Sequence, residues 1–400
     1  MQPILAHASE LSHDCNMPVY LVGGFVRDLI LQRQTSDIDI MVEGDGIVFA
    51  RELAKRMGIG EVVAYEEFGT ALLPLEGMKL EVASARSESY RPDSRKPKVQ
   101  AASLESDLIR RDFTVNALAI SLNAKDYGEL KDPCHGIGDM RSGLLRTPLP
   151  PDETFREDPL RMLRAARFVA QLGFTIDPAA FEAMNRQGNH MEIISWERIT
   201  EEILKMLSTD RPSTGFYILK ETGLLTFVFP ELDVMSGVEM VKGRGHKDVF
   251  VHTLQVVDNA AALSPKSELR FAALVHDIAK PQTKRYDPGR GWTFYHHEEI
   301  GRRMLVGIAK RMRLSNDLRD YLMNLTKLHL RPIALAQEGI TDSAVRRVMR
   351  EAGDHVDDLM ILCRADVTTK HEARASKYMA NFERVEALMQ DVTLRDEMRQ

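Results

Sequence analysis

The chain has 400 residues, 44% of them apolar and 28% charged, with a formal net charge of −6. That balance excludes a disordered or fibrous protein, and the length exceeds one ordinary domain, so two to four domains are expected. A nucleic-acid partner is compatible with the negative charge only where basic residues gather on one face. No stretch approaches the roughly 18 uninterrupted apolar residues of a membrane span. The opening MQPILAHASELSHD lacks the basic start and apolar run of a signal peptide. Cys15, Cys134 and Cys363 are odd in number and far apart, which suits a reducing cytoplasm and predicts neither a disulfide framework nor a zinc site.

In chain order, the first ~145 residues read as α/β by pattern. PVYLV (18–22) is a β-rich run ending at Gly23-Gly24, and FVRDLILQ follows with helical spacing. DIDIMV (37–42) alternates acid and aliphatic residues, the period of a strand. IVFARELAKRMG is an amphipathic helix closing at a glycine, and TALLPLEG, MKLEVAS and ALAISL are further strand candidates. The polar segment 87–103, with Arg91, Arg95, Lys96 and Lys98, reads as a long mobile loop. Beyond Pro150-Pro151 the composition turns helical, and after GRG (243–245) a third helical region holds most of the histidines.

Three segments carry the chemistry. Asp37 and Asp39 stand two apart on a strand, so both carboxylates share one face while Ile38 and Ile40 point into the core. Like charges placed that way suit Mg²⁺, which prefers oxygen ligands and binds substrate phosphates; Glu81 is a third acid for the same cluster. Gly23-Gly24, between strand and helix, lets a phosphate approach the backbone, and Arg27 adds a charge-assisted contact. A tight turn before an edge strand with exposed acids is the plain alternative. The glycine pair, the Arg-Asp pair and the paired acids, in that order on those elements, favour the metal reading.

In LESDLIRRDFTVNALAI (104–120), a helix followed by a strand, Arg111 suits a triphosphate, and Asp112 and Asn116 suit a ribose hydroxyl. Arg110 reads more plainly, as a solvated helix end with local salt bridges. FREDPLRMLRAARF (155–168) reads as one helix with Pro159 near its first turn. Glu157 and Asp158 neighbour Arg161 at helical spacing, either as intrahelical ion pairs or, for the pair Asp158–Arg161, as a reader of the base. A carboxylate and a guanidinium together match the amino and acceptor groups of cytosine and adenine, and leave polar groups unpaired against uracil and guanine.

His252, His276-Asp277, His297, His329 and Asp366 form a third set, in helices, with His246 and His296 close by in sequence as neighbours or further ligands. A single buried histidine is usually a satisfied core residue. Four histidines and two acids in one region favour a metal centre.

GGFVRD with DIDI, RRDFTVNA, EDPLRMLRAARF and DPCHGIGDMRSGLLRTP (132–148) together resemble the bacterial tRNA nucleotidyltransferase and poly(A) polymerase family, the class II CCA-adding enzymes. The resemblance covers roughly residues 18–235 and implies an α+β protein. Its parts would be a polymerase β-like nucleotidyltransferase head with a small mixed sheet (1–147), an all-α neck and body (148–240), an all-α histidine-bearing domain (241–372) and a helical tail (373–400). It implies Mg²⁺ held by Asp37 and Asp39, with Glu81 as a third catalytic acid. It places Gly23, Gly24, Arg27 and Arg111 against the triphosphate, Asp112 and Asn116 in the ribose motif, and Glu157, Asp158, Arg161 and Arg164 in the nucleotide-selecting helix. It implies tRNA, CTP and ATP as partners, no membrane, and C- and A-adding activity; the basic loop 87–98 stands where CC-only members are shortened.

The histidine order resembles the HD-domain phosphohydrolase family. That resemblance implies His252, His276, Asp277 and Asp366 as core ligands of a divalent metal of unspecified identity, and His297 and His329 as the added ligands of two-metal members. The same domain would serve otherwise as a tRNA-binding body without catalysis. An A-adding enzyme or poly(A) polymerase is the nearest rival within the class. An RNA-repair phosphohydrolase with a binding-only head, and a non-enzymatic tRNA-binding module, are the others.

Overall fold

A computed structural model of the chain describes residues 2–35, 37–91, 94–241, 244–245, 248–335, 341–369 and 371–397. The chain divides into two units, Met1–Arg161 with Phe174–Ala183, and Met162–Gly173 with Met184–Gln400.

The first unit is built on a mixed sheet. Its elements begin with α1 (Gln2–Cys15), β1 (Val19–Val22), α2 (Gly24–Ile30), β2 (Asp37–Val42), α3 (Gly46–Met57), β3 (Val63–Tyr65), β4 (Thr70–Leu75) and β5 (Met78–Ser84). They continue with β6 (Arg86–Arg91), β7 (Ser94–Ala101), α4 (Leu104–Ile109), β8 (Ala119–Ser121) and β9 (Leu130–Lys131). The sheet runs β3-β4-β5-β2-β1-β8-β9. β2 is parallel to β5, and the other neighbours are antiparallel.

Alternation sets the faces of the two central strands. Ile38, Ile40, Leu80 and Val82 are buried in the core, each such side chain contributing about 1.5–3 kcal/mol of burial. The intervening acids are left on the opposite face. α3 is delimited as its sequence requires: the Asp45 carboxylate accepts from the backbone N–H of Ile47 and Val48, both at 3.0 Å, and Gly58 ends the helix at φ 67°.

Two segments differ from the sequence expectation. Residues 87–103 include a two-stranded hairpin rather than a loop alone, with Arg86 opposite Ala101 and Ser89 opposite Lys98. Polar composition suggested a loop, but a ribbon pairs through its backbone, whatever its side chains. Pro92 and Asp93 lie outside the described residues.

The segment 155–168 is two helices, α6 (Pro151–Glu157) and α7 (Leu160–Leu172), which follow α5 (Gly136–Ser142) and the two-residue strand β10 (Leu144–Leu145). Asp158 breaks the run with extended dihedrals, φ −142° and ψ 98°, because the residue before a proline is driven from the helical region. Its carboxylate accepts from Leu160 N at 3.2 Å, so it restarts the chain as a cap. β11 (Thr175–Ile176) pairs with β10, and α8 (Pro178–Gln187) follows.

α5 rests on the turn Thr114–Asn116. A Cβ on Gly136 would lie 2.1 Å from Thr114 O, so only glycine permits the approach. The Asp132 carboxylate fixes the same bend by accepting from Gly136 N (2.7 Å) and Ile137 N (3.1 Å).

The second unit is mainly helical: α9 (Trp196–Leu207), α10 (Pro212–Glu221), α11 (Leu225–Val228), α12 (Pro230–Asp233), α13 (Val249–Leu263), α14 (Ser267–Val275) and α15 (Lys280–Thr283). It continues with α16 (His297–Arg311), α17 (Asn316–Leu328), α18 (Arg331–Leu335), α19 (Asp342–Ala352), α20 (Val356–Ala365) and α21 (Glu372–Glu397). Two short ribbons interrupt it, β12 (Met240–Val241) with β13 (Arg244–Gly245), and β14 (Arg285–Asp287) with β15 (Gly291–Thr293).

Arg270, buried on α14, ties this bundle together. It donates to the carbonyls of Leu207 (2.7 Å), Thr209 (2.9 Å), Ser264 (3.0 Å) and Ala261 (3.2 Å), which are orphan acceptors at and beyond the ends of α9 and α13. Burial lowers its pKa.

Candidate functional site

In the parallel pair β2–β5, Asp39 lies beside Glu81 and Asp37 beside Lys79, so the three acids Asp37, Asp39 and Glu81 share the face opposite the core. Burial, then the Glu81 charge, push the Asp39 carboxyl up to about 6; Asp37 adds to the rise, and Arg111 and Arg27 oppose it. A half-buried carboxylate raised by two like charges is a donor set that fits a divalent cation.

The turn above the strand completes the site. Gly23 sits at φ 70°, and a Cβ there would lie 2.5 Å from Arg111 Nη1 and 3.7 Å from Asp39 Oδ2. The glycine thus clears space where Arg111 meets the acids. Asp107, one turn earlier on α4, orients Arg111 by accepting from Nε (3.1 Å) and Nη2 (3.0 Å).

Gly24 has the Arg27 guanidinium 3.6 Å from its ideal Cβ position. Arg27 is 3% exposed. It donates to both oxygens of Asp28 at 2.8 Å, and through Nη1 to Asn116 Oδ1 at 2.7 Å. Asn116 Nδ2 in turn donates to Asp112 Oδ1 at 3.0 Å. Arg27, Asp112 and Asn116 are therefore one internal network under the glycine turn.

At the start of α7, Arg161 donates through Nη1 to Glu157 Oε2 (3.1 Å) and Thr154 O (3.3 Å), and through Nη2 to Arg110 O (2.8 Å). Arg110 donates through its own Nη2 to Glu157 Oε1. Glu157 thus lies between two guanidiniums, and Arg110 is not the solvated helix end that its position suggested. Arg164 belongs to the second unit, where Nη1 stands 3.8 Å from Glu202 Oε1 and the guanidinium lies over the Phe168 ring.

The second unit gathers the histidine set. His252 lies in the first turn of α13, His276 and Asp277 just beyond α14, His297 at the start of α16, His329 at the end of α17 and Asp366 at the end of α20. Helix ends are where a bundle converges, which brings residues far apart in sequence to one point. Two groups form, each with ligand atoms within 4.8 Å of one another: His252, His276 and Asp366, and Asp277, His297 and His329.

Asp277 faces both groups. Its Oδ2 is 3.1 Å from His276 Nε2 and 3.5 Å from His252 Nε2, and its Oδ1 is 3.3 Å from His297 Nε2 and 3.8 Å from His329 Nε2. Asp366 Oδ1 is 2.9 Å from His252 Nε2.

The rings are pre-aimed. Nδ1 of His276, His297 and His329 each donates to a backbone carbonyl, of Ala273, Phe294 and Thr326, at 2.7 Å. His252 Nδ1 is 3.0 Å from Thr368 Oγ1. Nε2 is left facing inward, the orientation that metal-binding histidines take from such partners. His276 Nε2 and Asp277 Oδ1 are buried and face only other candidate ligand atoms, off ideal hydrogen-bond geometry, an arrangement that a cation between them would satisfy.

The electrostatics agree. Burial alone would lower His276, but the charge and hydrogen bonding of Asp277, then those of Asp366, raise it to about 10. Burial would raise Asp366, but His252 and His276 hold it far below the carboxylate range. Burial and the His276 charge lower His329 to about 4. The field of these two ionised carboxylates holds a proton on His276, and the same field attracts a divalent ion that would displace it.

Asp107 and Lys280 were not singled out by the sequence, and Asp28 and Arg110 were named there without the contacts they make. Asp107–Arg111 carried a signal in its i,i+4 spacing, as did Lys280, three residues after Asp277 and 2.6 Å from its Oδ2. The Arg110–Glu157 pair, 47 residues apart, carried none. His296 belongs to neither group, and His246 lies outside the described residues.

Three family models match successive parts of the chain. Residues 19–146 match the poly A polymerase head domain, 173–235 the probable RNA and SrmB-binding site of polymerase A, and 249–370 the HD domain. The multifunctional CCA protein of Shewanella frigidimarina (strain NCIMB 400) is 32% identical over 383 residues, covering 90% of this chain and 86% of that protein. A solved tRNA nucleotidyltransferase complexed with a primer tRNA and an incoming ATP analog is 26% identical, with a TM-score of 0.67 and coverage of 95% of this chain and 99% of that one. A tRNA-processing enzyme in an apo form is 25% identical at TM-score 0.67, covering 96% of this chain and 89% of that one.

Proposed function

Because this chain belongs to the multifunctional CCA protein family of tRNA nucleotidyltransferases, we propose that it adds C, C and A to tRNA 3′ ends from CTP and ATP, releasing pyrophosphate. The observation that carries this reading is the convergence of Asp37, Asp39 and Glu81 with Gly23 and Arg111 on one face. In the reaction the terminal 3′-hydroxyl oxygen loses its proton to solvent and bonds to the α-phosphorus, and the bond from that phosphorus to the oxygen bridging to the β-phosphate breaks, so that pyrophosphate leaves. Mg²⁺ held by Asp37, Asp39 and Glu81 would supply charge stabilisation at the attacking and leaving oxygens. Gly23 and Gly24 let the triphosphate approach the backbone, and Arg111, aimed by Asp107, neutralises it. Arg27 braces the turn from below through Asp28 and Asn116, and Asp112 with Asn116 addresses the ribose. Asp158 and Arg161 read the base edge, with Glu157 beside them at the end of α6 and Arg164 one turn further along α7.

The proposal divides the chain into head (1–147), neck and body (148–240), HD domain (241–372) and tail (373–400), acting in the cytoplasm. No helix among the described residues is long and apolar enough to cross a membrane. A tRNA ending at its discriminator base should gain three nucleotides with CTP and ATP. Supplied with CTP alone it should gain two, which an A-adding enzyme or poly(A) polymerase would not give. Extension equally good with UTP would overturn the reading.

A second activity rests on the paired histidine groups. Divalent metal held by His252, His276, Asp366, Asp277, His297 and His329 would supply an activated water for hydrolysis of a terminal or cyclic phosphate on RNA. Asp277, facing both groups, holds them at one spacing, and the carbonyls of Ala273, Phe294 and Thr326 keep the rings in the ligating tautomer.

A further inference from the structure

We propose that Arg110 is a positioning residue for nucleotide selection: through Glu157 it holds Arg161, of the base-reading pair Asp158–Arg161, in fixed register with the phosphate-binding arginine beside it. The inference rests on the functional reading above and concerns a residue that reading leaves without a role.

Arg110 and Arg111 are consecutive residues at the end of α4, and their side chains serve different places. Arg111 turns back to Asp107 and reaches the space over Gly23, beside Asp39. Arg110 reaches Glu157 at the end of α6. Its backbone carbonyl also accepts from Arg161 Nη2 at 2.8 Å, and the second arm of Arg161 returns to Glu157 Oε2 at 3.1 Å. The result is a closed three-residue ring in which each carboxylate oxygen of Glu157 has its own guanidinium.

An exposed surface pair contributes little, about 0–1 kcal/mol, because water screens it and both side chains lose freedom. This one is different in kind. The side chains of Glu157 and Arg161 are 13% and 15% exposed, and that of Arg110 is 32% exposed. The ring spans the place where Asp158 and Pro159 interrupt the helix, so no helical ladder fixes Glu157 against Arg161 across it. The side chain of Arg110 supplies that constraint. Because Arg111 follows directly, the distance between the phosphate contact and the base contact is fixed by one peptide unit.

A group that fixes geometry without touching substrate affects discrimination more than chemistry. In Arg110→Ala, Glu157 keeps one cation of two, and Arg161 keeps its carbonyl contact but loses a fixed partner. We expect kcat/KM for CTP and ATP to fall between about 10- and 100-fold, the scale of small misplacements. The preference for CTP over UTP should fall by at least about tenfold, because the reading pair is no longer held against the wrong base.

Single-nucleotide incorporation into tRNA ending at its discriminator base, measured with each of the four nucleotides, tests this. Wild-type protein is measured first, and failure to prefer CTP over UTP there defeats the functional reading itself. With that preference present, the proposal predicts loosened selectivity in Arg110→Ala and partial recovery in Arg110→Lys, which returns a cation without the fork. It predicts also that Arg110→Ala adds little to Glu157→Gln, since both open the same ring. Rates that fall equally for all four nucleotides, or effects of the two substitutions that simply add, overturn it. Should Arg110→Ala fail to fold, Arg110→Lys alone and combined with Glu157→Gln decides by the same two criteria.

Discussion

Asp39 and Asp277 are both carboxylates within candidate metal sites, yet their surroundings drive them in opposite directions. Burial and the Glu81 charge push Asp39 up to about 6. Burial would raise Asp277 too, but His276 and then Lys280 hold it well below the ordinary range. The first site leaves its charges in partial conflict on an open sheet face. The second surrounds its acids with imidazoles at buried helix ends. A site that must receive a triphosphate and an RNA terminus has to leave its cation binding partly unsatisfied by the protein. A closed centre can compensate its charges in advance and wait for a small reacting group.

Substitution of the acids breaks this contrast most strongly. Asp39→Ala should reduce nucleotide incorporation by more than about 10³-fold, the scale of removing a charge-stabilising group at the reacting atoms. Primer extension across a range of Mg²⁺ concentrations checks it, and partial recovery at high Mg²⁺ would identify weakened metal binding as the cause.

Arg270 sharpens the other side. It secures α14, which delivers His276 and Asp277, by donating to four backbone carbonyls. Arg270→Ala should destabilise the chain by about 3 kcal/mol, since buried acceptors lose their donor. Denaturant unfolding measures that loss. The bound-metal content of the second unit should fall with it, while the first site's incorporation per folded molecule stays the same.

The smallest effect concerns pH. A folded pKa for Asp39 of about 6, above the ordinary 3.8, means that its contribution to stability is present below pH 3.8 and lost as pH rises through 6. In chelator, Asp39→Asn should therefore raise the thermal midpoint by a few degrees above pH 6, and change little near pH 4. His276, raised to about 10 from 6.5, gives a contribution that is full below 6.5 and lost only as pH rises through 10. His276→Asn should thus be most costly below pH 6.5, where Asp39→Asn changes little, and least costly above pH 10, where Asp39→Asn is beneficial. Thermal melts of both variants at pH 4, 7 and 10 compare the two sites directly.

Much of both sites was legible because local rules governed them. The strand 37–42 was readable from its acid–aliphatic alternation, and the end of α3 from Gly58. The gathering of Asp37, Asp39 and Glu81 needed only strand period and one parallel pairing. The 87–103 hairpin was not legible, since backbone pairing leaves no side-chain pattern in a polar segment. The break at Asp158 was, in principle, because Pro159 forbids a helical residue before it; the helical periodicity around it concealed the signal. The two-sided position of Asp277 and the Arg110–Glu157 contact depend on where helix ends and loops meet in space, which spacing along the chain does not encode.

The central claim is that one chain carries two separate phosphate chemistries, one per unit. A reciprocal assay on Asp39→Ala and Asp277→Ala tests it most directly, following nucleotide addition to tRNA lacking CCA and phosphate release from RNA with 2′,3′-cyclic ends. The account predicts that Asp39→Ala loses addition and keeps hydrolysis, while Asp277→Ala keeps addition and loses hydrolysis. Loss of both activities in either folded variant, or hydrolysis that survives Asp277→Ala, would contradict it.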